Sequence, residues 1–226
     1  MSSLILKDLL IQKKLVLLSG IYIIAMLLIF QNVAGMESAA GLAVFAVAMV
    51  AVTYVLTGNA CAYEDKSKAD VILNSMPVTR AEIVAARYLS VYVFMAIGVV
   101  YYVLITGAIN LAHLPVKVPP LSGEGLFVAA FAVTLMNSVY LPTYFKWGYM
   151  KSRMISVILF FMFFFGGNTL AEAVYKNQES ALIKQLLQSV DAQPDAVLVI
   201  GLLFLIMVIL YVSYLISLKI YMRREF

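Results

Sequence analysis

The chain has 226 residues, of which 64% are hydrophobic and only 12% charged, with a mean hydropathy of +0.98 and a net charge of +4. A water-soluble domain carries roughly a quarter charged residues, so this composition excludes a soluble enzyme or binding module and predicts an all-α integral membrane protein. The positive balance is what basic loops against anionic lipid heads produce, and it requires no nucleic-acid partner.

Residues 2–14 read as a short amphipathic helix. Ser2 or Ser3 caps it, Leu4, Ile5, Leu9 and Ile11 are expected to face lipid, and Lys7, Asp8, Gln12 and Lys14 to face water. Six apolar runs follow, at 15–31, 39–60, 83–110, 125–143, 154–171 and 197–218. Each approaches the ~20 residues that a helix needs to cross about 30 Å of hydrocarbon, and none has the alternation of a barrel strand. Residues 1–226 are thus expected to form a single transmembrane domain of six helices. With both termini in the cytoplasm, only Lys117, Lys176 and Lys184 of the sixteen Lys and Arg residues fall outside. Asp and Glu divide evenly between the sides, so the bias belongs to the cations, as the positive-inside rule requires.

The loop at 61–82, between the second and third runs, is dense in charge and capping residues. Ser67 suits an N-cap, Asp70 complements the positive end of a helix dipole, and Val71, Ile72 and Leu73 make the following turn apolar. Pro77 keeps Met76 out of the helical region. Thr79-Arg80-Ala81-Glu82 is a capping box, with Val78 and Ile83 at the flanking staple positions. The pattern predicts a short cytoplasmic helix, a fixed turn and then the third span.

On the outer side, residues 172–195 hold a second amphipathic pattern. Leu182, Ile183, Leu186, Leu187 and Val190 share one arc of a helical wheel, opposite Lys184, Gln185, Gln188, Ser189 and Asp191. The segment either lies flat on the bilayer or dips into it. In the middle of the spans the polar residues are neutral; Thr57, Asn59, Asn137 and Asn168 either line a path or bond between helices. Asn137, five residues before Pro142, marks an expected kink.

Cys61 is the only cysteine, so neither a disulfide framework nor a metal cluster is expected, and His113 is the only histidine. The sequence holds no zinc-binding H-E-x-x-H, no Ser/His set and no G-x-x-x-x-G-K-[ST] phosphate loop. No catalytic residue is expected. Any ATP-driven work requires a partner that brings its own ATP and Mg site.

The string Tyr63-Glu64-Asp65-Lys66, then a helical stretch, then Leu73-Asn74-Ser75-Met76-Pro77-Val78-Thr79-Arg80-Ala81-Glu82-Ile83-Val84 resembles a loop in permeases of the ATP-binding-cassette type-2 family. That loop follows the second helix and typically reads Leu-Pro-Val-Ser-Arg-Lys-Glu-Ile-Val; Met76, Thr79 and Ala81 depart from it. The stretch LPTYFKWGYMKSRMI at 141–155 and the ending SLKIYMRREF are also similar to that family.

The resemblance implies a non-catalytic permease subunit in a bacterial plasma membrane. It would pair with a second copy or a paralogue and be driven by separate cytoplasmic ATPase subunits. Glu64, Asp65, Lys66, Asp70, Val71, Ile72, Leu73, Pro77, Arg80 and Glu82 are then expected to contact the ATPase, and Arg80→Glu to uncouple it. Thr57, Asn59, Asn137 and Asn168 become candidates for the path, and the apolar arc at 182–190 for an outer gate. An uncharged, aromatic-rich interior suits an amphiphilic peptide, lipid-like compound or drug as exported cargo. Two other readings stay open: a six-helix substrate-binding subunit of an energy-coupling-factor importer, and a non-transporting immunity or sensory protein.

Overall fold

The computed structural model describes residues 2–29, 38–67, 78–113, 118, 121–176 and 195–224. They form helices α1 (Ser2–Ile11), α2 (Lys13–Ile29), α3 (Ser38–Ser67), α4 (Arg80–Leu111), α5 (Gly123–Lys176) and α6 (Asp195–Met222). Four stretches are long and apolar enough to cross a membrane, namely Gly41–Ser67, Arg80–Leu111, Gly123–Met162 and Val199–Met222. The pair Ser3–Ile11 and Lys13–Ile29, bent by 67°, forms a fifth, broken one.

Helix α5 has 54 residues, roughly 80 Å if straight at 1.5 Å per residue and more than twice a bilayer core. It does not run straight. Gly148, at φ 75° and ψ −178°, breaks it, in a region that side chains other than glycine's essentially never enter. Contacts with α3 give the direction of each half. Gly125 lies against Leu42 and Phe45, Tyr144 reaches Glu64, and an added Cβ at Gly148 would meet Asp65. Beyond the break, Ser156 and Phe160 return to Tyr54. The chain therefore reverses at Gly148, and residues 123–147 and 149–176 make two passes. Spans expected at 125–143 and 154–171 are joined as one bent helix, and a total of six apolar passes fits the chain.

The expected kink falls at Gly148 and not at Pro142. Proline lacks the N–H that would bond the carbonyl of Ser138, four residues earlier. Ser213 of α6 donates its Oγ hydrogen to that carbonyl at 2.7 Å, so the freed acceptor is satisfied from a neighbouring helix. Ser213 and Ser217 in turn pair with the Tyr88 hydroxyl of α4 at 2.6 and 2.8 Å. One hydroxyl chain thus ties α4, α5 and α6 together.

Helix α3 is the most enclosed of the set and α6 the most exposed. Met49, Val52 and Leu56 of α3 pack with Phe94 of α4 and Val133 and Leu141 of α5. Gly98 permits the close approach of α4, since an added Cβ would meet the Met49 Sδ at 3.2 Å. Exposed Ile200, Phe204, Met207 and Tyr211 give α6 an apolar face suited to lipid.

Two local expectations are corrected. Helix α3 does not stop near residue 60 but continues to Ser67, roughly 45 Å long, so its last turns reach past an apolar core of about 30 Å. Ser67 is not an N-cap; its hydroxyl bonds back to the Tyr63 carbonyl at 2.7 Å and closes the end of α3. Helix α1 departs in part from the expected one: Leu4 and Leu9, expected on lipid, pack on the core, while Ile11 and Lys14 are exposed as expected. Asp8 and Gln12 are buried while Leu6, Leu10 and Ile11 are exposed, because Asp8 has a cation to meet inside the bundle. The segments 68–77 and 177–194, with the expected coupling helix and outer arc, lie outside the described residues.

Candidate functional site

The charged end of the bundle, where α1, the end of α3 and the start of α4 meet, is built around one buried arginine. Arg87 stands two turns into α4 and is 5% exposed, so its charge must be neutralised from within. Its Nη1 donates to Asp8 Oδ2 of α1 at 3.0 Å, and its Nη2 pairs with Glu64 Oε2 of α3. Lys7 Nζ bonds the other Glu64 oxygen at 2.6 Å. Ser90 Oγ donates to Asp8 at 3.0 Å and the Tyr144 hydroxyl to Glu64 at 3.3 Å. Three helices and α5 are thus joined through two carboxylates and two cations. Removing one member would strand the others in a dry environment.

Helix α4 begins as the sequence predicts. Thr79 at φ −73° and ψ 148° accepts from the Glu82 amide, and Glu82 Oε2 accepts from the Thr79 N–H at 2.9 Å, completing the capping box. Val78 and Ile83 both pack on the core, as a staple requires. Arg80 has a role that the sequence did not reveal. Its Nη1 donates to the Met222 carbonyl at 2.9 Å and approaches those of Tyr221 and Arg224. Those of Tyr221 and Met222 are end-of-helix carbonyls of α6, which lack intrahelical partners, and Arg224 follows the helix end. A cation there also meets the negative end of the dipole.

The residues expected to contact an ATPase therefore divide. Asp65 and Lys66 are exposed. Arg80 is partly buried against α6, and Glu82 is held in its cap. Glu64 is 8% exposed and turned inward to Arg87 and Lys7; it braces the end of α3 and offers no free surface. Asp70, Val71, Ile72, Leu73 and Pro77 fall outside the described residues, as do Leu182, Ile183, Leu186, Leu187 and Val190. The signal for Arg87 was present in the sequence: a lone arginine inside an apolar run calls for a carboxylate partner.

The described members of the four expected path residues stand in different settings. Asn137 is buried and donates to the Val133 carbonyl of its own helix at 2.9 Å. Thr57 Oγ1 and Asn59 Nδ2 are shielded from solvent without a hydrogen-bond partner among the described residues. Asn168 lies on the helical backbone of α5, and its side chain is outside the description. Asn59 borders a cavity, a cleft of about 280 Å³ between α3 and α5. Cys61 is fully buried nearby, a packed small residue, and His113 is exposed at the end of α4. Among the described residues, no group of three His, Cys, Asp or Glu side chains comes together to hold a metal.

Residues 3–222 match the family described as ABC-2 family transporter protein. The chain belongs to the ABC-2 family of transporter proteins. The match covers nearly the whole chain, and with the long apolar helices it makes this a multi-pass membrane protein. No curated protein and no solved structure matches the chain. Membership in the ABC-2 family implies an ATP-binding-cassette ATPase as partner and a membrane component that is typically not itself catalytic.

Proposed function

We propose that this chain is the permease subunit of an ATP-driven exporter in a bacterial plasma membrane. Two copies, or one copy and a paralogue, form the path, and cytoplasmic ATPase subunits holding ATP and Mg drive it. The charged end of the bundle faces the cytoplasm in this reading, in agreement with the bias of Lys and Arg. The cargo is amphiphilic: a peptide, a lipid-like compound or a drug.

One observation carries the reading. Helix α3 extends past the apolar belt and delivers Asp65 and Lys66, both exposed, to the start of segment 68–77. The chain then re-enters through a fully capped α4. A rigid exit and a rigid entry flank that segment, as a lever pushed by a partner needs. Exposed charges orient such a joint, and Val71, Ile72 and Leu73 supply apolar area. Glu64 and Arg80 serve it from behind, by fixing α3 to α1 and α4, and α4 to α6.

Reconstitution with the ATPase provides the test. Reversing both exposed charges, Asp65→Lys with Lys66→Glu, is expected to abolish stimulated ATP hydrolysis while thermal unfolding of the permease stays unchanged. Stimulation equal to the native chain's would remove the docking assignment. Labelling of a cysteine placed at Lys66 from the periplasmic side only would remove the orientation.

A further inference from the structure

At the charged end Lys7 and Arg87 are paired with carboxylates and Arg80 with carbonyls, but one wall of the bundle holds an arginine without an ion pair among the described residues. The cleft of about 280 Å³ is lined by Asn59 and Tyr54 of α3 and by Tyr140, Tyr149, Arg153 and Ser156 of α5, and no carboxylate among the described residues lines it. Asn59 borders it, with an Nδ2 that is shielded from solvent and has no acceptor among the described residues. Arg153 makes no ion pair with any described carboxylate, since those found join only Lys7, Asp8, Glu64 and Arg87. The Asn59 side chain, a guanidinium and three phenols border a space whose only fixed charge among the described residues is positive. A buried donor without an acceptor is unfavourable, and turning the Asn59 amide toward an incoming anion relieves it.

The cleft has an apolar continuation. Leu15 and Val55 belong both to its wall and to that of an adjoining groove of about 100 Å³, which Leu18, Tyr22 and Val52 complete. That groove runs along α2 and α3 among exposed Leu17, Leu18 and Ile21, so a hydrocarbon chain reaches it from the bilayer. A polar pocket opening on a greasy channel is the shape of an amphiphile.

We infer that this cleft binds an amphiphile with an anionic head group, a phosphate or carboxylate carried on an acyl or similar tail. Arg153 and Asn59 hold the head, and Leu15, Leu18 and Val55 hold the tail. The guanidinium supplies a fork that matches either anion. Gly58 lies in the wall with nothing within 4 Å of an added Cβ, which leaves room for the head. Binding does not depend on the export reading; only the source of the ligand does. A resident phospholipid and a transported amphiphile share this chemistry.

The experiment uses the full chain in a neutral detergent, with lysophosphatidylglycerol and lysophosphatidylcholine as probes and native mass spectrometry as readout. One equivalent of the anionic probe is expected to be retained in preference to the zwitterionic one. Arg153→Gln should weaken it about tenfold, the loss of one charge-assisted contact. Gly58→Phe should fill the cleft and abolish retention. Equal retention of both probes, or native affinity in both variants, would overturn the assignment. Arg153 is exposed, so its variant folds and remains informative if Gly58→Phe does not. With the ATPase present, release of the probe on ATP turnover identifies cargo, and retention through turnover identifies a resident lipid. Failure of the ATPase to assemble would count against the export reading and leave the binding result standing.

Discussion

Glu64 and Asn59 lie little more than one turn apart on α3, yet they meet opposite fates. Glu64 enters a quartet in which every charge has an opposite charge at bonding distance. Asn59 faces a cleft in which neither its amide nor the guanidinium of Arg153 finds an acceptor among the described residues. The contrast separates two uses of polarity in an apolar bundle. Where donors and acceptors balance, the polar groups brace helices; where donors are in excess, they wait for a ligand. Stability should therefore be sensitive to substitution on one side of α3 and nearly indifferent on the other.

The largest effect is expected at Arg87. Arg87→Leu leaves Asp8 and Glu64 with Lys7 as their single, partly exposed cation, a loss of about 3–5 kcal/mol, seen as a large fall in the thermal midpoint in detergent. Replacing Asp8, Glu64 and Arg87 together by leucine should recover most of it, because an apolar trio of similar volume needs no neutralisation. A triple variant no more stable than Arg87→Leu would mean that the quartet does more than brace. Gly148→Ala comes next. A side chain at φ 75° should cost about 1–3 kcal/mol, read by the same melt, and an unchanged midpoint would show that the reversal relaxes easily.

Smaller still is Thr79→Ala, which loses the α4 cap for about 1 kcal/mol and should speed amide exchange in the first turn of α4. At the other end of the scale stand the cleft residues. Asn59→Leu removes an unpaired buried donor and should leave stability unchanged or raise it by up to about 1 kcal/mol. Arg153→Gln should stay within about 0.5 kcal/mol of native. Marked destabilisation by either would erase the distinction between brace and binding wall.

Legibility in the sequence followed the range of the interaction. Thr79 and Glu82 are three residues apart, so the capping box could be read locally, and the structure forms it. The apolar runs could be read because hydrocarbon thickness sets their length. The faces of α1 could not. A helical wheel divides Asp8 and Gln12 from Leu6 and Leu10 but does not say which face is covered; Arg87, 79 residues from Asp8, decides that. Glu64 misled for the same reason, since a carboxylate near a loop resembles surface charge until its distant partner is known. Pro142 pointed to a kink, but Ser213 supplies the missing hydrogen bond from another helix, and the bend moves to Gly148.

The inward turn of α1 also governs what the chain can lose. In many membrane proteins a leading amphipathic segment is dispensable, a float that trimming leaves without consequence. Here, deleting residues 1–12 would take Lys7 and Asp8 away with it. Glu64 would keep one cation instead of two, Arg87 would face a single acid, and the base of α3 would lose its tether to the front of the polypeptide. The first dozen residues act as a keystone, and an N-terminal truncation should loosen the end of α3 and the start of α4.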